Sequence, residues 1–252
     1  MSEEILFYQE LSIITWPPKI ILNLNGWKVR ISEGVTKRAN SVSPMLYTGN
    51  NLEADIAQVE RFYQEKNLQP IFQLPDGFKP SELKDLLISS GYEPIDETIV
   101  MVADINEMNN SPEAIEYDFV HFEENLEEWI TAFKSLREDR SDEIEGLKQI
   151  IDRATKSNVC YYITKKNDEY VAVGLTISEG SYMGIFNMFT HQEHRRKGIA
   201  QILISMMIEW GDINLIDQVF LQVEADNPGA IQLYKKIGFN EIYRYRYLIK
   251  NI

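Results

Sequence analysis

The sequence predicts an α/β chain of the α+β kind, built from two modules of similar size. Three observations predict it. Short strand patterns alternate with helical patterns of 3.6-residue period along the chain. A polar segment at residues 104–112 (DINEMNNSP), ending in Ser-Pro, interrupts the middle and reads as a linker. The same four elements then close each half in the same order: a strand, a helix, a glycine followed by an aromatic residue, and a strand.

The repeat is concrete. In the second half, the strand pattern 219–223 precedes a helix that ends at Ile237-Gly238-Phe239, followed by a strand at 243–249. In the first half, the strand pattern 70–74 precedes a helix from Ser81 that ends at Ser90-Gly91-Tyr92, followed by a strand at 98–102. Each glycine stands where a helix needs a left-handed residue just past its end. The whole second half reads β-α-α-β-β-β-α-β-α-β. Its elements are strand 116–122, helix 125–137, a helix that Ser141 can cap, strands 159–164, 170–177 and 182–189, and helix 199–210. The second helix carries Ile144, Leu147, Ile150, Ile151 and Ala154 on one face. Helix 199–210 places Ile199, Ile202, Leu203, Met206, Met207 and Trp210 on a core stripe, so its two methionines read as core rather than cofactor ligands.

Composition bounds the function. The chain has 252 residues, 44% hydrophobic, with a formal net charge of −14. That charge argues against a nucleic-acid backbone or an anionic membrane as the main partner. No apolar run approaches the roughly 20 residues of a membrane span. The start, Met1-Ser2-Glu3-Glu4, is acidic where a signal peptide is basic. The single cysteine, Cys160, lies among strand-forming residues and reads as a buried structural thiol. The expected location is the cytoplasm. His121, His191 and His194 lack Cys or carboxylate partners at ligand spacing, so no metal site is expected.

The segment Thr190-His191-Gln192-Glu193-His194-Arg195-Arg196-Lys197-Gly198-Ile199-Ala200 carries the chemistry. Three cations sit directly before a helix whose N-terminus is itself partly positive. An anion would resolve that conflict, held by free backbone N–H groups and the basic side chains. Gly198 and Ala200 are small enough for phosphate oxygens to approach the backbone. The other reading of these residues is a solvated basic turn.

Arg195-x-x-Gly198-x-Ala200 resembles the Gln/Arg-x-x-Gly-x-Gly/Ala motif of GNAT-type N-acetyltransferases. Gln192 stands where the family commonly has proline. A second resemblance follows at residues 227–239 (NPGAIQLYKKIGF), similar to the family's Asn-x-x-Ala-x-x-Leu-Tyr-x-x-x-Gly-Phe. Together the resemblance covers roughly residues 116–250. It implies modules that are mixed, mostly antiparallel twisted sheets flanked by helices, with a splayed pair of central strands that takes the pantetheine arm of acetyl-CoA. It further implies that backbone groups of Met188, Phe189 and Thr190 bond that arm. The motif supplies Arg195, and the amides of Arg196, Lys197, Gly198, Ile199 and Ala200 hold the pyrophosphate. Asn227 touches the cofactor from the other strand end.

The implied reaction moves an acetyl group from acetyl-CoA to a primary amine. The Phe189 N–H would stabilise the oxyanion, and Tyr234 matches the family's general acid. Tyr234 also shares a core stripe with Ala230, Leu233 and Ile237, and packing and catalysis are compatible for one tyrosine. The base is not identified. Glu224 and Glu179 are candidates that read equally as surface carboxylates, and a water chain can serve. No metal is called for.

Residues 27–42, with Trp27-Lys28-Val29-Arg30 and Thr36-Lys37-Arg38-Ala39-Asn40-Ser41-Val42, resemble the N-terminal module of tandem GNAT proteins. Where the repeat would place a phosphate loop, the chain reads Thr48-Gly49-Asn50-Asn51. Leu87 stands in place of Tyr234, and Pro80 in place of Asn227. The expectation is a degenerate module at 1–110 and a catalytic module at 111–252. Lys37 and Arg38 read as a solvated hairpin edge or as a site for an acidic group. The acceptor remains open among an amino acid, a small amine, an aminoglycoside and a protein N-terminus, and a homodimer is allowed. Two other readings stay open: an inactive acetyl-CoA sensor and a protein-interaction module.

Overall fold

The computed structural model describes residues 1–32, 34–108, 112–154 and 158–251. Asn109, Asn110 and Ser111, within the expected linker, lie outside the described residues. In chain order the elements are α1 (Glu3–Thr15), β1 (Ile20–Leu24), β2 (Trp27–Ile31), β3 (Val42–Pro44), α2 (Leu52–Gln64), β4 (Ile71–Pro75), α3 (Leu83–Ser89) and β5 (Glu93–Asp104). They continue with β6 (Asp118–Phe122), α4 (Leu126–Leu136), α5 (Ile144–Ala154), β7 (Asn158–Lys166), β8 (Glu169–Glu179), β9 (Tyr182–Thr190), α6 (Ile199–Ile213), β10 (Gln218–Glu224), α7 (Pro228–Ile237) and β11 (Asn240–Ile249). From β6 onward this is the order expected from the sequence. The chain folds as two compact units. The first comprises residues 1–100, 224–226 and 242–252; the second comprises 101–223 and 227–241.

In the first unit, β1 and β2 form a hairpin whose turn, Asn25-Gly26, has φ of 48° and 83°. That is the left-handed pair a two-residue hairpin turn demands. β2 pairs antiparallel with β3, β3 parallel with β4, and β4 antiparallel with β11, from Tyr245↔Pro75 to Ile249↔Ile71. The last strand of the chain therefore joins this sheet, with β5 on its other side. One face presents Trp27, Val29, Val42, Phe72, Leu74 and Leu248 to Ile56, Val59 and Tyr63 of α2 and to Leu83 and Leu87 of α3. Alternation puts Arg30, Ser41, Ser43 and Gln73 on the opposite face. Helix α1, which the sequence reading does not contain, reaches that polar face through Gln9. Gln9 donates to the Tyr243 hydroxyl at 3.0 Å and accepts from Ser43 Oγ at 3.3 Å.

Lys37 and Arg38 are not on a hairpin edge. They lie in a 3-10 turn, Lys37–Ala39. The Asn40 side chain builds the preceding bend. It accepts from the amides of Ser32 and Gly34 and donates to the carbonyls of Val35 and Thr36, the kind of local bond that lets asparagine organise turns. Lys37 pairs with Asp96, and Arg38 stacks 5.5 Å over the Trp16 ring.

In the second unit the strand order is β10-β9-β8-β7-β6. β6 to β9 form an antiparallel meander. Asn167 and Asp168, at φ of 52° and 66°, make the tight turn between β7 and β8. α4 buries Trp129, Ile130, Ala132, Phe133 and Leu136. α6 buries Ile199, Leu203, Met207 and Trp210 as expected, together with Ile204 and Ile208, while Ile202 and Met206 are half-buried. Ser141 does not cap α5. It sits inside a 3-10 helix, Glu138–Glu143, where its carbonyl accepts from the Ile144 amide. Cys160 is buried, and burial pushes its thiol up to about 11, so it is unreactive at neutral pH.

Candidate active site

β9 and β10 run parallel but pair over only four residues, Tyr182–Ile185 with Gln218–Leu221. Beyond that point β9 departs because of a bulge. The register against β8 shifts between Val173 and Leu175, and Asn187 takes a left-handed φ of 49°. An extra residue on one strand bends it and re-aims the side chains that follow. The residues after the bulge are Met188, Phe189 and Thr190.

These three residues line a cleft of about 640 Å³ in the second unit, with Arg195, Arg196, Gly198, Ile199, Ala200, Asn227 and Tyr234. The fold thus gathers every residue expected at the site into one cavity except Lys197, which is exposed in the adjoining loop. His194, Gln201, Gly229, Ala230 and Leu233 complete the lining.

The floor of the cleft is the start of α6. Arg196 has φ of 60° and Gly198, the N-cap, has φ of 84°. Backbone in these conformations turns successive N–H groups toward one side. Among the described residues, no hydrogen bond engages the amides of residues 196–201, and no carboxylate pairs with Arg195, Arg196 or Lys197. A Cβ built at Gly198 meets nothing within 4 Å, so the glycine is there for its φ and leaves its approach open. Free amides, an aligned helix dipole and unpaired cations make an anion-binding floor. Arg195 is the best fixed of the cations: its Nε donates to the Thr190 carbonyl at 3.0 Å, and its guanidinium lies 5.7 Å from the Phe189 ring centre.

Phe189 is held by a second cation as well. Arg137, just past the end of α4, stacks at 5.0 Å on its ring and forms a bidentate pair with Asp139. A lone arginine at a helix end carries no sequence signal of a site, so Arg137 enters the sequence reading only as the end of helix 125–137. Deeper in, the Trp129 indole donates to the Gly174 carbonyl at 2.8 Å. A Cβ at Gly174 would lie 2.4 Å from Met188 Sδ, so the glycine makes room for the methionine that lines the cleft.

On the opposite wall, Asn227 caps α7 by accepting from the Ala230 amide at 3.1 Å, with Pro228 in the first turn. Tyr234 follows two turns later. Its ring packs edge-on against Phe239, with centres 5.8 Å apart. Its hydroxyl has no hydrogen bond among the described residues, and burial pushes its pKa up to about 12. It is therefore a fully protonated phenol aimed into a cavity with its donor unspent. Neither candidate carboxylate lines the cleft. Glu179 ends β8 opposite Tyr182, at the far end from Thr190, and Glu224 is the exposed last residue of β10.

Residues 10–248 match the family described as "Probable histone acetyltransferase Rv0428c C-terminal". The chain belongs to the GNAT-type N-acetyltransferases. It is 30% identical over 251 residues to the protein named "Uncharacterized N-acetyltransferase YobR" of Bacillus subtilis (strain 168), covering 98% of this chain and 99% of that one. Two solved structures share the fold. A GCN5-related N-acetyltransferase from Kribbella flavida has a TM-score of 0.70 at 10% identity, covering 99% of this chain and 95% of its own. A tandem GNAT protein from the clavulanic acid biosynthesis pathway has a TM-score of 0.67 at 11% identity, covering 96% and 86%. This GNAT chain is an acyltransferase of mixed α/β fold. Among the described residues no helix is long and apolar enough to cross a membrane, and no His/Cys/Asp/Glu group could hold a metal ion.

Proposed function

We propose that the chain transfers an acetyl group from acetyl-CoA to a primary amine by direct attack, in the cleft of the second unit. The observation that carries this reading is the pairing, in one cavity, of an unspent anion floor with a buried neutral phenol. The free amides of residues 196–200 and the side chains of Arg195 and Arg196 suit a pyrophosphate. The unpaired edge of β9 at Met188, Phe189 and Thr190 suits the amide groups of a pantetheine arm, with Asn227 facing it from the cap of α7. The Phe189 N–H is the donor for the oxyanion that develops when the amine attacks the thioester carbon. As that tetrahedral centre collapses, the C–S bond breaks and the Tyr234 hydroxyl gives its proton to the departing thiolate. The attacking amine loses its proton to water in the open cleft, since no carboxylate among the described residues lines it.

We assign catalysis to residues 111–252 and a non-catalytic role to the module at 1–110, where Leu87 and Pro80 stand in the positions of Tyr234 and Asn227. The acceptor is a small-molecule or peptide amine. The buried, unreactive Cys160 fits a cytoplasmic setting.

The test is thermal unfolding of the full chain with acetyl-CoA, alongside Arg196→Glu. A ligand at 100 times its Kd stabilises by about 2.7 kcal/mol. A rise in the wild-type midpoint that Arg196→Glu abolishes supports the reading. No rise at saturating acetyl-CoA removes it.

A further inference from the structure

The first unit has an open strand edge. β1 stands at the end of the strand order, and among the described residues its ladder is with β2 alone. In an antiparallel ladder, opposed residues alternate between pairs that exchange both hydrogen bonds and pairs that exchange none. The two-residue turn makes its closing pair, Leu24↔Trp27, a bonded one. Leu22↔Val29 and Ile20↔Ile31 are then bonded as well. Ile21 and Asn23 therefore aim their N–H and C=O groups away from β2. The far side of β2 agrees: Arg30, opposite Ile21, spends its own amide on the Ser41 carbonyl at 3.2 Å, away from β1. Among the described residues no hydrogen bond takes up the outward backbone groups of Ile21 and Asn23.

Such an edge is ordinarily blunted by a charge, a proline or a bulge. Residues 20–27 (IILNLNGW) carry no charge and no proline, and the β1–β2 register runs without a shift. β6, at the outer edge of the second unit, carries the exposed Asp118 instead. The β1 edge is also held still. Asn25 in the turn donates to both carboxylate oxygens of Asp55 at 3.0 Å, and its carbonyl accepts from the Thr48 amide at 2.9 Å. Ile20, Leu22 and Leu24 pack on the core of the unit yet stay half-buried, while Ile21 on the other face is 47% exposed.

We propose that β1 pairs antiparallel with β1 of a second copy of this chain, about a twofold axis at Leu22. The sequence of the strand selects this occupant. In that register Ile21 of each copy opposes Asn23 of the other, so outward groups meet outward groups and each such pair exchanges both backbone bonds. Ile20 opposes Leu24 and Leu22 opposes itself, so the half-buried aliphatic residues of both copies extend one apolar face. A slip by one residue would set outward groups against inward ones and mismatch the faces. Lys19 of each copy comes opposite Asn25 of the other, whose side chain holds the Asp55 carboxylate, so opposite charges approach at both ends. Within the strand no like charges oppose each other, which a chain of net charge −14 needs in order to meet its own copy. A contact of one patch with itself closes at two copies. The pairing uses no residue of the cleft and stands whether or not the cleft binds acetyl-CoA.

The experiment is sedimentation velocity of the full chain over the micromolar range, in wild type, Asn23→Pro and Ile21→Lys. Asn23→Pro removes an outward N–H that its own copy does not use, a change an edge strand tolerates. Ile21→Lys sets like charges diagonally across the pair from an exposed position. The expected wild type passes from one to two chain masses as concentration rises. Both variants should raise the dissociation constant roughly tenfold or more while keeping the wild-type near-ultraviolet circular dichroism. Hydrogen exchange gives a reading that needs no variant. The amides of Ile21 and Asn23 should exchange slowly in concentrated protein and rapidly in dilute protein, with that of Leu22 slow in both. Should Asn23→Pro fail to fold, Ile21→Lys and the wild-type amides decide. A wild type that is monomeric throughout overturns the pairing and leaves an extended segment of another protein as the occupant of the edge. A dimer that Ile21→Lys does not weaken, or in which the Ile21 and Asn23 amides exchange rapidly, overturns it as well.

Discussion

Trp129 and Gly174 are joined by a fully buried hydrogen bond, indole N–H to backbone carbonyl at 2.8 Å, at the point where the β8–β9 register shifts. The bond uses a carbonyl that the bulge removes from the sheet ladder. Replacing the indole leaves that carbonyl buried without a donor, which costs roughly 1–3 kcal/mol. Trp129→Phe is therefore expected to lower the unfolding free energy, read from urea titration, by that amount. Because Gly174 adjoins Met188, acetyl-CoA affinity should fall as well. An unchanged affinity in a destabilised protein would show that the bulge holds its shape without the indole.

Tyr234→Phe removes one oxygen from a ring already packed against Phe239. The fold and acetyl-CoA binding should survive, while kcat falls by roughly 10²- to 10⁴-fold, the usual share of a general acid. Calorimetric titration and a thiol-release assay separate the two. Unaltered turnover would assign the proton to water. Unaltered binding with no turnover in either protein would favour a sensor over an enzyme.

Legibility followed local signal. The order of elements from β6 onward and the two motif loops were readable because helix period, glycine stops and basic residues are all local. Strand β5 starts at Glu93 rather than 98, because Glu93, Asp96 and Glu97 look like loop residues when their sheet partners are unknown; Glu97 is paired with Arg244 and Arg246 of β11. Helix α1 gives no periodic signal, because its apolar residues surround the axis rather than forming one stripe. In the sequence Arg30 stands only as part of a motif. Its burial comes from Ser43 and Gln73, which are 13 and 43 residues away, and no window along the chain brings them together.

Gly198→Ala isolates the conformation of the phosphate loop. An added Cβ meets nothing within 4 Å, so crowding plays no part, but φ of 84° costs an L-residue about 1–2 kcal/mol. The loop should relax away from its left-handed turn and weaken acetyl-CoA binding roughly tenfold, the equivalent of about 1.4 kcal/mol. Affinity equal to wild type would mean that the side chains of Arg195 and Arg196, not the amides, hold the ligand.

Alkaline pH should act on stability through a set of buried phenols and one buried thiol, with Tyr234 and Cys160 among them. Burial raises Tyr234 from 10.0 to about 12 and Cys160 from 9.0 to about 11. Each folded-state pKa lies above its unfolded value, so the folded protein holds these protons more tightly. Their contribution is complete below pH 9 and is lost as pH rises, through 9–11 for Cys160 and 10–12 for Tyr234. Each is worth on the order of 3 kcal/mol when fully titrated. Urea unfolding at pH 8, 9.5 and 11 should show a flat region and then a decline, and Tyr234→Phe should lessen the last part by the share of one phenol among the several that burial raises. The rate should keep its acid over the same range, losing it only near pH 12 rather than near 10.

The last strand offers a test of the first unit on its own terms. β11 pairs with β4 over five residues, and Leu248 is 1% exposed in the cluster with Phe72 and Tyr92. A fragment ending at residue 110 lacks that strand and bares the edge of β4, a ready template for association. It also opens a cavity where Leu248 sat, a loss of roughly 2–5 kcal/mol for a leucine. The fragment 1–110 alone should be molten or aggregated by gel filtration and near-ultraviolet circular dichroism. Adding a synthetic peptide of residues 242–252 should recover ordered aromatic signals, and the same peptide with Leu248→Asp should not. A fragment that folds without the peptide would show that the first five strands suffice.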